Sequence, residues 1–451
     1  MIQRTARRLP ALLSVLVFLV CVRAGAGDWL PPTAELKTLG DFSFVMQNGL
    51  VYNIPDPGRL THYSDGFLLN GLWLIRRTPM DHELSLMRRT PEVLKQLEEG
   101  GEHEPGLSDD AWDSVLLPAV VNRPPDDYVD GVWYRRRFTP PERYKGKRVR
   151  LVFLGANYLT DVWINGKYVG WHEGGFTSFL FDVSEFLNYG EENTIAVRVD
   201  NIPWIDEKGP VTEPNGLMVP YARADWWNYG GIYRDVYLIA DDATGIEDYF
   251  ISTAREGDHW RVHISLLFRE EQGAGDFHGR FAGRICREYD PVCFLHDSDV
   301  DTLFVIPEQR NKKQMPVADI QESDVVITGV EEQQDGSRLV AGRVSLEVDD
   351  VRAWSPDDPV RYVFLAGYHG DFGTKGDLKD AIRESVAFRE FGIDAKGAGV
   401  LLNGQPLTLR GANRHEEMPD TGRAQSWRRT KQLKNDLQRM QDLGINFVRT
   451  G

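Results

Sequence analysis

The chain has 451 residues, and its 68 acidic against 52 basic side chains give a formal charge of −16 at pH 7. That length predicts two or three domains, each able to bury its own core. The acidic balance excludes nucleic acid and anionic lipid surfaces as natural partners, because both would repel the chain.

At the start, Arg4, Arg7 and Arg8 precede an apolar run from Leu9 to Val22, and Ala24-Gly25-Ala26 follows as a small-residue cleavage pattern. Residues 1–26 therefore read as a secretory signal peptide, which places the protein in the periplasm or outside the cell. The run is shorter than the ~20 residues of a membrane span, so no span is expected. Cys21 would suit a lipid anchor, but Val20 before it is too large for the small residue such anchors need. Cleavage removes four arginines and no acid, which takes the formal charge from −16 to −20. Cys286 and Cys293 are then the cysteines left. Their close spacing in an exported protein permits one local disulfide, with two separate thiols as the other reading.

From about Leu68 the chain turns to short strands. Val149, Leu151 and Phe153 alternate with Arg150, Val152 and Leu154, and Ile195, Val197 and Val199 alternate with Ala196 and Arg198. Between them, Asn165-Gly166 sits between two apolar segments, a hairpin signal because that turn needs positive φ at both central positions. The economical architecture for residues 27–240 is an all-β sandwich. Arg77 to Asp110, rich in charge and with a short helix at Pro91 to Glu99, reads as a surface insertion. After Ile239, Trp260, Val262, Ile264 and Leu266 alternate with polar residues, and further strands are expected near Leu303, Val326, Leu339 to Val348 and Val360 to Leu365. About seven strands over residues 241–396 suit an immunoglobulin-like sandwich. His263, His278 and His296 share no ligand spacing and are expected at the surface. Glu271 to Asp297 is longer than a sandwich loop needs, and fits an insertion or a partner surface.

In the last stretch, residues 397–451, Asn403-Gly404 marks a hairpin that feeds an extended Leu407 to Leu409 segment. Leu433, Leu437, Met440 and Leu443 recur at helical spacing and Gly444 follows as a stop, after which Ile445 to Val448 reads as a strand. Strand, helix and strand in succession form the unit of a parallel α/β fold.

Several stretches, in this order, resemble glycoside hydrolase family 2, the β-galactosidase and β-glucuronidase family: Leu69 to Trp73, Gly131 to Arg136, Val162 to Gly166, His172 to Phe176, Asn228 to Val236, Asn413-Arg414-His415-Glu416 and Asn446 to Gly451. The resemblance implies a multidomain, mainly β chain: a jelly-roll sugar-binding domain, an immunoglobulin-like sandwich, and the first strands and helix of a (β/α)8 barrel. Such a barrel needs roughly 250 residues, so it does not close within this sequence. Retaining glycosidases set two carboxylates about 5 Å apart, one as nucleophile and one as acid/base. The resemblance puts both glutamates beyond Gly451, so no catalytic residue is expected in this chain and the chain alone is expected to be inactive. The complete enzyme would be an exo-acting retaining β-glycosidase and homo-oligomer, removing a terminal β-glucuronide or β-galactoside. The Asn228 to Val236 run leans toward the glucuronidase branch. No cofactor is required by the resemblance, although some galactosidases hold Mg²⁺ or Na⁺ through ligands that would lie mostly downstream.

For site residues, the resemblance matches Asp225 to a loop aspartate that contacts the terminal sugar, and a carboxylate suits that task because two oxygens accept from neighbouring hydroxyls. His415 matches a histidine that hydrogen-bonds the same sugar, Arg449 an arginine on the site floor, and Asn122 falls where some galactosidases place a second sugar contact. Glu416 and Glu417 cannot be an acid/nucleophile pair, since adjacent residues of an extended segment point to opposite sides. Glu416 is expected as a partner of Arg414 or another barrel arginine. Trp226 and Trp227 fit core packing or a stacking face equally. Two rivals stand beside this reading: a non-catalytic carbohydrate-binding protein, and one half of a split glycosidase.

Overall fold

The computed structural model describes residues 34–54, 65–81, 84–85, 87, 89–128, 130–201, 205–206, 209–210, 227–270, 280–287, 318–320, 325–369, 378–394, 397, 399–426 and 431–450. Residues 1–26, expected as a signal peptide and including Cys21, and Asp225, Trp226, His278, Cys293, His296 and Leu303 lie outside these residues. Among the described residues, no helix is long and apolar enough to cross a membrane.

The first sandwich pairs a six-stranded antiparallel sheet with a four-stranded one. The larger runs in the order Lys167–Glu173, Leu159–Ile164, Asn193–Asp200, Gly131–Phe138, Gly71–Arg77, Asp113–Leu117. The smaller runs Phe179–Asp182, Arg148–Phe153, Val236–Asp241, Asp65–Leu68. Alternation decides which side chains meet between them: Val149, Leu151 and Phe153 bury against Val162, Ile164, Ile195, Val197 and Val199. The out-facing residues are not left to water. Val152 packs with Leu50, Leu180, Tyr237 and Ile239, and Trp163 packs with Trp133 and Ala196 beneath Met80, Trp112 and Tyr168. Burying a side chain of this size contributes roughly 1.5–3 kcal/mol, so both outer coverings matter to stability.

Part of the covering over Trp163 comes from the stretch expected as a surface insertion, and here the structure corrects the sequence reading. Its helix, Pro91–Leu97, starts at the cap Thr90 and buries Val93 and Leu97. Glu98 accepts a hydrogen bond from Trp163 Nε1 at 2.7 Å. Arg89 makes a two-pronged bond to Asp161 at 2.7 and 3.0 Å. Asp161, fully buried, also receives Arg198 at 3.2 Å and the Tyr168 hydroxyl at 2.9 Å. The insertion is thus a strap clamped to the sheet by a buried charge network.

Among the described residues the second sandwich has eight strands, where about seven were expected. One sheet runs Gly245–Glu256, His259–Glu270, Arg338–Val348, Val326–Glu332 and the other Ala318–Ile320, Arg280–Arg287, Tyr362–His369, Leu378–Val386. Trp260, Val262, Ile264, Leu266 and Phe268 bury between them against Phe364, Tyr368 and Phe388. Cys286 is buried and disulfide-bonded, with its partner outside the described residues.

The sequence reading began its strands near Leu68 and missed three earlier ones, Ala34–Leu39, Phe42–Gln47 and Leu50–Val51. Leu39, Phe42, Phe44 and Met46 share a core with Leu267, Leu339 and Ala341 of the second sandwich. The same small sheet reaches the first sandwich through Gln47, which donates to Ser178 O at 3.2 Å and accepts from Leu180 N at 2.9 Å.

At the chain end, Val400–Leu402 and Gln405–Leu407 form the hairpin around Asn403 and Gly404, both at positive φ (+50° and +75°), as the Asn-Gly turn requires. Gly411–Arg414 then pairs in parallel with Phe447–Thr450, and the helix Lys431–Asp442 lies between them in sequence. The first parallel strand therefore starts a few residues later than the Leu407 to Leu409 segment expected for it.

Candidate active-site seam

Loops of the first sandwich meet the residues that follow the strand Gly411–Arg414. On the sandwich side, Gly231–Ile232 pairs with Ala156–Asn157, but the residues just before it have no ladder partner. Side-chain amides take over, because an asparagine offers both donors and an acceptor to an unpaired backbone. Asn157 Nδ2 donates to Asn228 Oδ1 at 2.9 Å and to Tyr229 O at 2.6 Å. Asn122 Nδ2 donates to Asn228 O at 3.0 Å, and its Oδ1 accepts from Gly230 N at 2.8 Å. Asn122 is 2% exposed with both ends of its amide engaged, so it braces the loop and is not presented to a sugar.

Glu416 makes the bridge across the seam. Its Oε2 lies 2.8 Å from Arg234 of the sandwich and 3.1 Å from Nε of Arg423, which follows it in the barrel-side loop. Arg234 also donates to Arg423 O at 2.6 Å, and Gln425 N donates to Tyr233 O at 3.0 Å. Arg423 lies 4.3 Å from the centre of the Phe176 ring and 5.6 Å from that of Tyr233, a stacking that strengthens as water is excluded. Tyr233 donates its hydroxyl to Gly175 O. Burial pushes the Tyr233 pKa up, with Arg423 and Arg234 opposing the rise. His172, in the same motif as Gly175, stacks on Phe179 at 4.3 Å, and burial pushes its pKa down to about 3, so it stays neutral and structural.

Beside this bridge opens a cleft of about 360 Å³, lined by Arg123, Pro124, Tyr229, Glu417, Met418, Pro419 and Gly422. Gly422 sits at φ +59°, and a Cβ there would lie 2.6 Å from the Tyr229 ring, so the loop approaches the sandwich this closely only with glycine. Burial and the neighbouring Glu417 carboxylate both raise the Tyr229 pKa, which leaves a neutral hydroxyl-bearing ring at the cleft wall. Trp227 Nε1 and Asn228 Nδ2 are buried and have no hydrogen-bond partner among the described residues. A wall of aromatic and proline surface with a few polar groups suits a hydroxyl-rich ligand.

Residues 105–241 match the family description "Glycosyl hydrolases family 2, sugar binding domain", and residues 393–451 match "Glycosyl hydrolases family 2, TIM barrel domain". The chain belongs to glycoside hydrolase family 2. Among its relatives, a β-galactosidase of Thermoanaerobacter pseudethanolicus is 30% identical over 72% of this chain and 37% of its own length. A β-glucuronidase of Bacteroides fragilis is 28% identical over 72% of this chain and 40% of its own length. Among solved structures, a β-glucuronidase from Ruminococcus gnavus aligns with a TM-score of 0.60 at 21% identity, covering 89% of this chain and 56% of that one. The chain therefore spans well under half the length of the two curated relatives. The family's sandwich and barrel-opening regions are the ones that meet at the seam.

Of the residues singled out in the sequence, the seam gathers Glu416 directly and His415 by adjacency. His415 is exposed, with Nδ1 3.9 Å from a Glu417 carboxylate oxygen. Arg414 does not pair with Glu416. It turns to Asp436 of the helix at 3.0 Å, which ties helix to strand, while Glu416 takes Arg234 and Arg423. Arg449, matched to an arginine of the site floor, is exposed in this chain. The sequence reading missed Arg234, Arg423 and Tyr229. Arg234 and Tyr229 stood inside the Asn228 to Val236 run, but nothing local to Arg423 marks it. The described residues hold one group of three side chains able to share a metal, on the second sandwich and not at the seam.

Proposed function

We propose that this chain is the amino-terminal part of an exported, exo-acting, retaining β-glycosidase that removes a terminal β-linked glucuronide or galactoside. The observation that carries the proposal is the seam itself. Glu416 draws the barrel-side loop onto the sandwich through two arginines, and a cleft lined from both sides opens beside it. Asp225 and His415 are the proposed sugar contacts. Support comes from sequence neighbours: Tyr229, four residues after Asp225, and Glu417, two after His415, both line that cleft. Arg449 is proposed as electrostatic support to the site floor, with Arg414 held by Asp436 behind it. The nucleophile and acid/base are proposed to come from barrel strands that this sequence does not include, as the chain's short span of its relatives suggests.

In the complete enzyme, further barrel strands would cover the apolar side chains that stand exposed on the opening unit, Leu437, Leu443 and Phe447. Their burial would also close the site to water, which strengthens every hydrogen bond to the sugar. The test compares two purified proteins on aryl β-glucuronide and β-galactoside. The chain ending at Gly451 is expected to give no turnover, and a polypeptide continued in frame by the roughly 200 residues that finish a barrel is expected to be active. Hydrolysis by the shorter chain would refute the placement of the carboxylates.

A further inference from the structure

The second sandwich carries three donor side chains that no part of the glycosidase reading uses. Gly257, at φ +65°, turns the chain between Gly245–Glu256 and His259–Glu270, so His259 begins a strand at one end of the sheet. On the other side of that strand, Trp260 pairs with Val348 and Arg261 with Glu347. The alternation of a strand then puts Glu347 and Asp349 on one face, beside His259. His259 Nδ1 is within hydrogen-bond reach of Asp349 Oδ1 and lies 3.7 Å from Glu347 Oε1. One donor atom from each of the three lies within 4.8 Å of the others.

We propose that His259, Glu347 and Asp349 form a binding site for a first-row divalent transition-metal ion such as Zn²⁺. Three features separate this group from an ordinary acidic patch. An imidazole nitrogen is one of the donors, and imidazole with carboxylate selects zinc-like ions over Mg²⁺ or Ca²⁺. The carboxylate oxygens are already divided: Glu347 Oε2 faces Arg261 at 3.6 Å while Oε1 faces the imidazole, and Arg261 is itself held by Glu256 at 2.7 Å. His259 and Glu347 also come from paired strands and Asp349 directly follows one, so the backbone positions of the first two are fixed before any ion arrives. Bonds of ~2.1 Å to zinc place donors about 3–3.5 Å apart. Small side-chain rotations from the present separations reach that spacing, and water can supply the remaining positions on this half-exposed surface.

The test is a calorimetric titration of the chain with Zn²⁺, repeated with Co²⁺ for its absorption spectrum. One saturable site is expected, weakened at least tenfold in His259→Gln and in Asp349→Asn, since even outer partners of metal ligands cost ~10-fold. His263→Gln, which removes another exposed histidine of the same strand, is expected to leave the affinity unchanged. Far-UV circular dichroism of each variant checks that the sandwich is intact. The proposal is overturned by absence of saturable binding, or by binding that survives His259→Gln, which would mark an adventitious site elsewhere.

Discussion

Replacing Asp161 by alanine should open the strap over the six-stranded sheet. The carboxylate is fully buried, and both guanidinium groups that meet it, Arg89 and Arg198, have side chains only 4% exposed. Removing it strands the buried Arg89 guanidinium and leaves Arg198 with Asp200 alone, at 3.5 Å, and breaking a buried pair costs about 3–5 kcal/mol. At ~1.4 kcal/mol per decade, that is between two and almost four decades in the local opening equilibrium. Hydrogen exchange followed by mass spectrometry reads this directly: peptides covering residues 85–98 and 159–164 should lose that much protection, while one covering residues 260–268 should not change. The double replacement Arg89→Met, Asp161→Leu, which leaves Arg198 on Asp200 at 3.5 Å, should recover most of the loss, because an apolar filling of similar volume often matches a buried ion pair. The effect also has a pH signature. Burial alone would raise the Asp161 pKa, but pairing with Arg89 and then Arg198 outweighs it and holds the carboxyl below its ordinary range. Its contribution is therefore complete above the unfolded carboxylate value of about 4 and fades only as pH falls through the depressed folded value. If the alanine variant keeps protection within tenfold of the parent at pH 7, the strap is held by apolar contact and the reasoning fails.

Glu416→Gln keeps the shape of the seam but removes the charge that two arginines share. A local loss of roughly 1–3 kcal/mol is expected, visible as faster proteolytic cleavage within residues 414–426, and unaltered cleavage would show that the loop does not depend on this bridge. Asp248 offers the opposite sign. Burial pushes its pKa up to about 6, with Glu247 adding to the rise. Its folded form favours the proton while the unfolded carboxyl ionises near pH 4, so the penalty builds as pH rises from about 4 to 6 and is complete above 6. Asp248→Asn should therefore stabilise the chain at pH 7 by at most about 3 kcal/mol and by far less at pH 4. Urea unfolding at the two pH values decides it, and an equal shift at both would exclude the carboxyl as cause.

The features carried by short-range chemistry were legible in the sequence. Asn165-Gly166 and Asn403-Gly404 adopt the turns their residues demand, and the spacing of Leu433, Leu437 and Met440 gave the helix that the structure holds. Contacts set by tertiary placement were not legible. A charged stretch such as Arg77 to Asp110 looks like surface until Arg89 is seen to have Asp161 for a partner, 72 residues away. Likewise Glu416 was expected on Arg414 or another barrel arginine, and Arg423 meets the second reading, but Asp436 occupies Arg414 and nothing along the chain pointed to Arg234 of the sandwich. The His259 group joins residues 90 positions apart, which no spacing rule along the chain would connect.

The small sheet at residues 34–51 sets an order of events during synthesis. Asp41 waits for Arg343, 302 positions later, and the neighbouring Leu39 waits for Leu339 to close its apolar face. At 5–20 residues per second, the ribosome takes roughly 15–60 s to deliver those partners. For that interval Leu39, Phe42, Phe44 and Met46 have emerged without the surface they finally cover, a window in which a chaperone or an early neighbour could hold them. The first strands made are thus among the last to be finished.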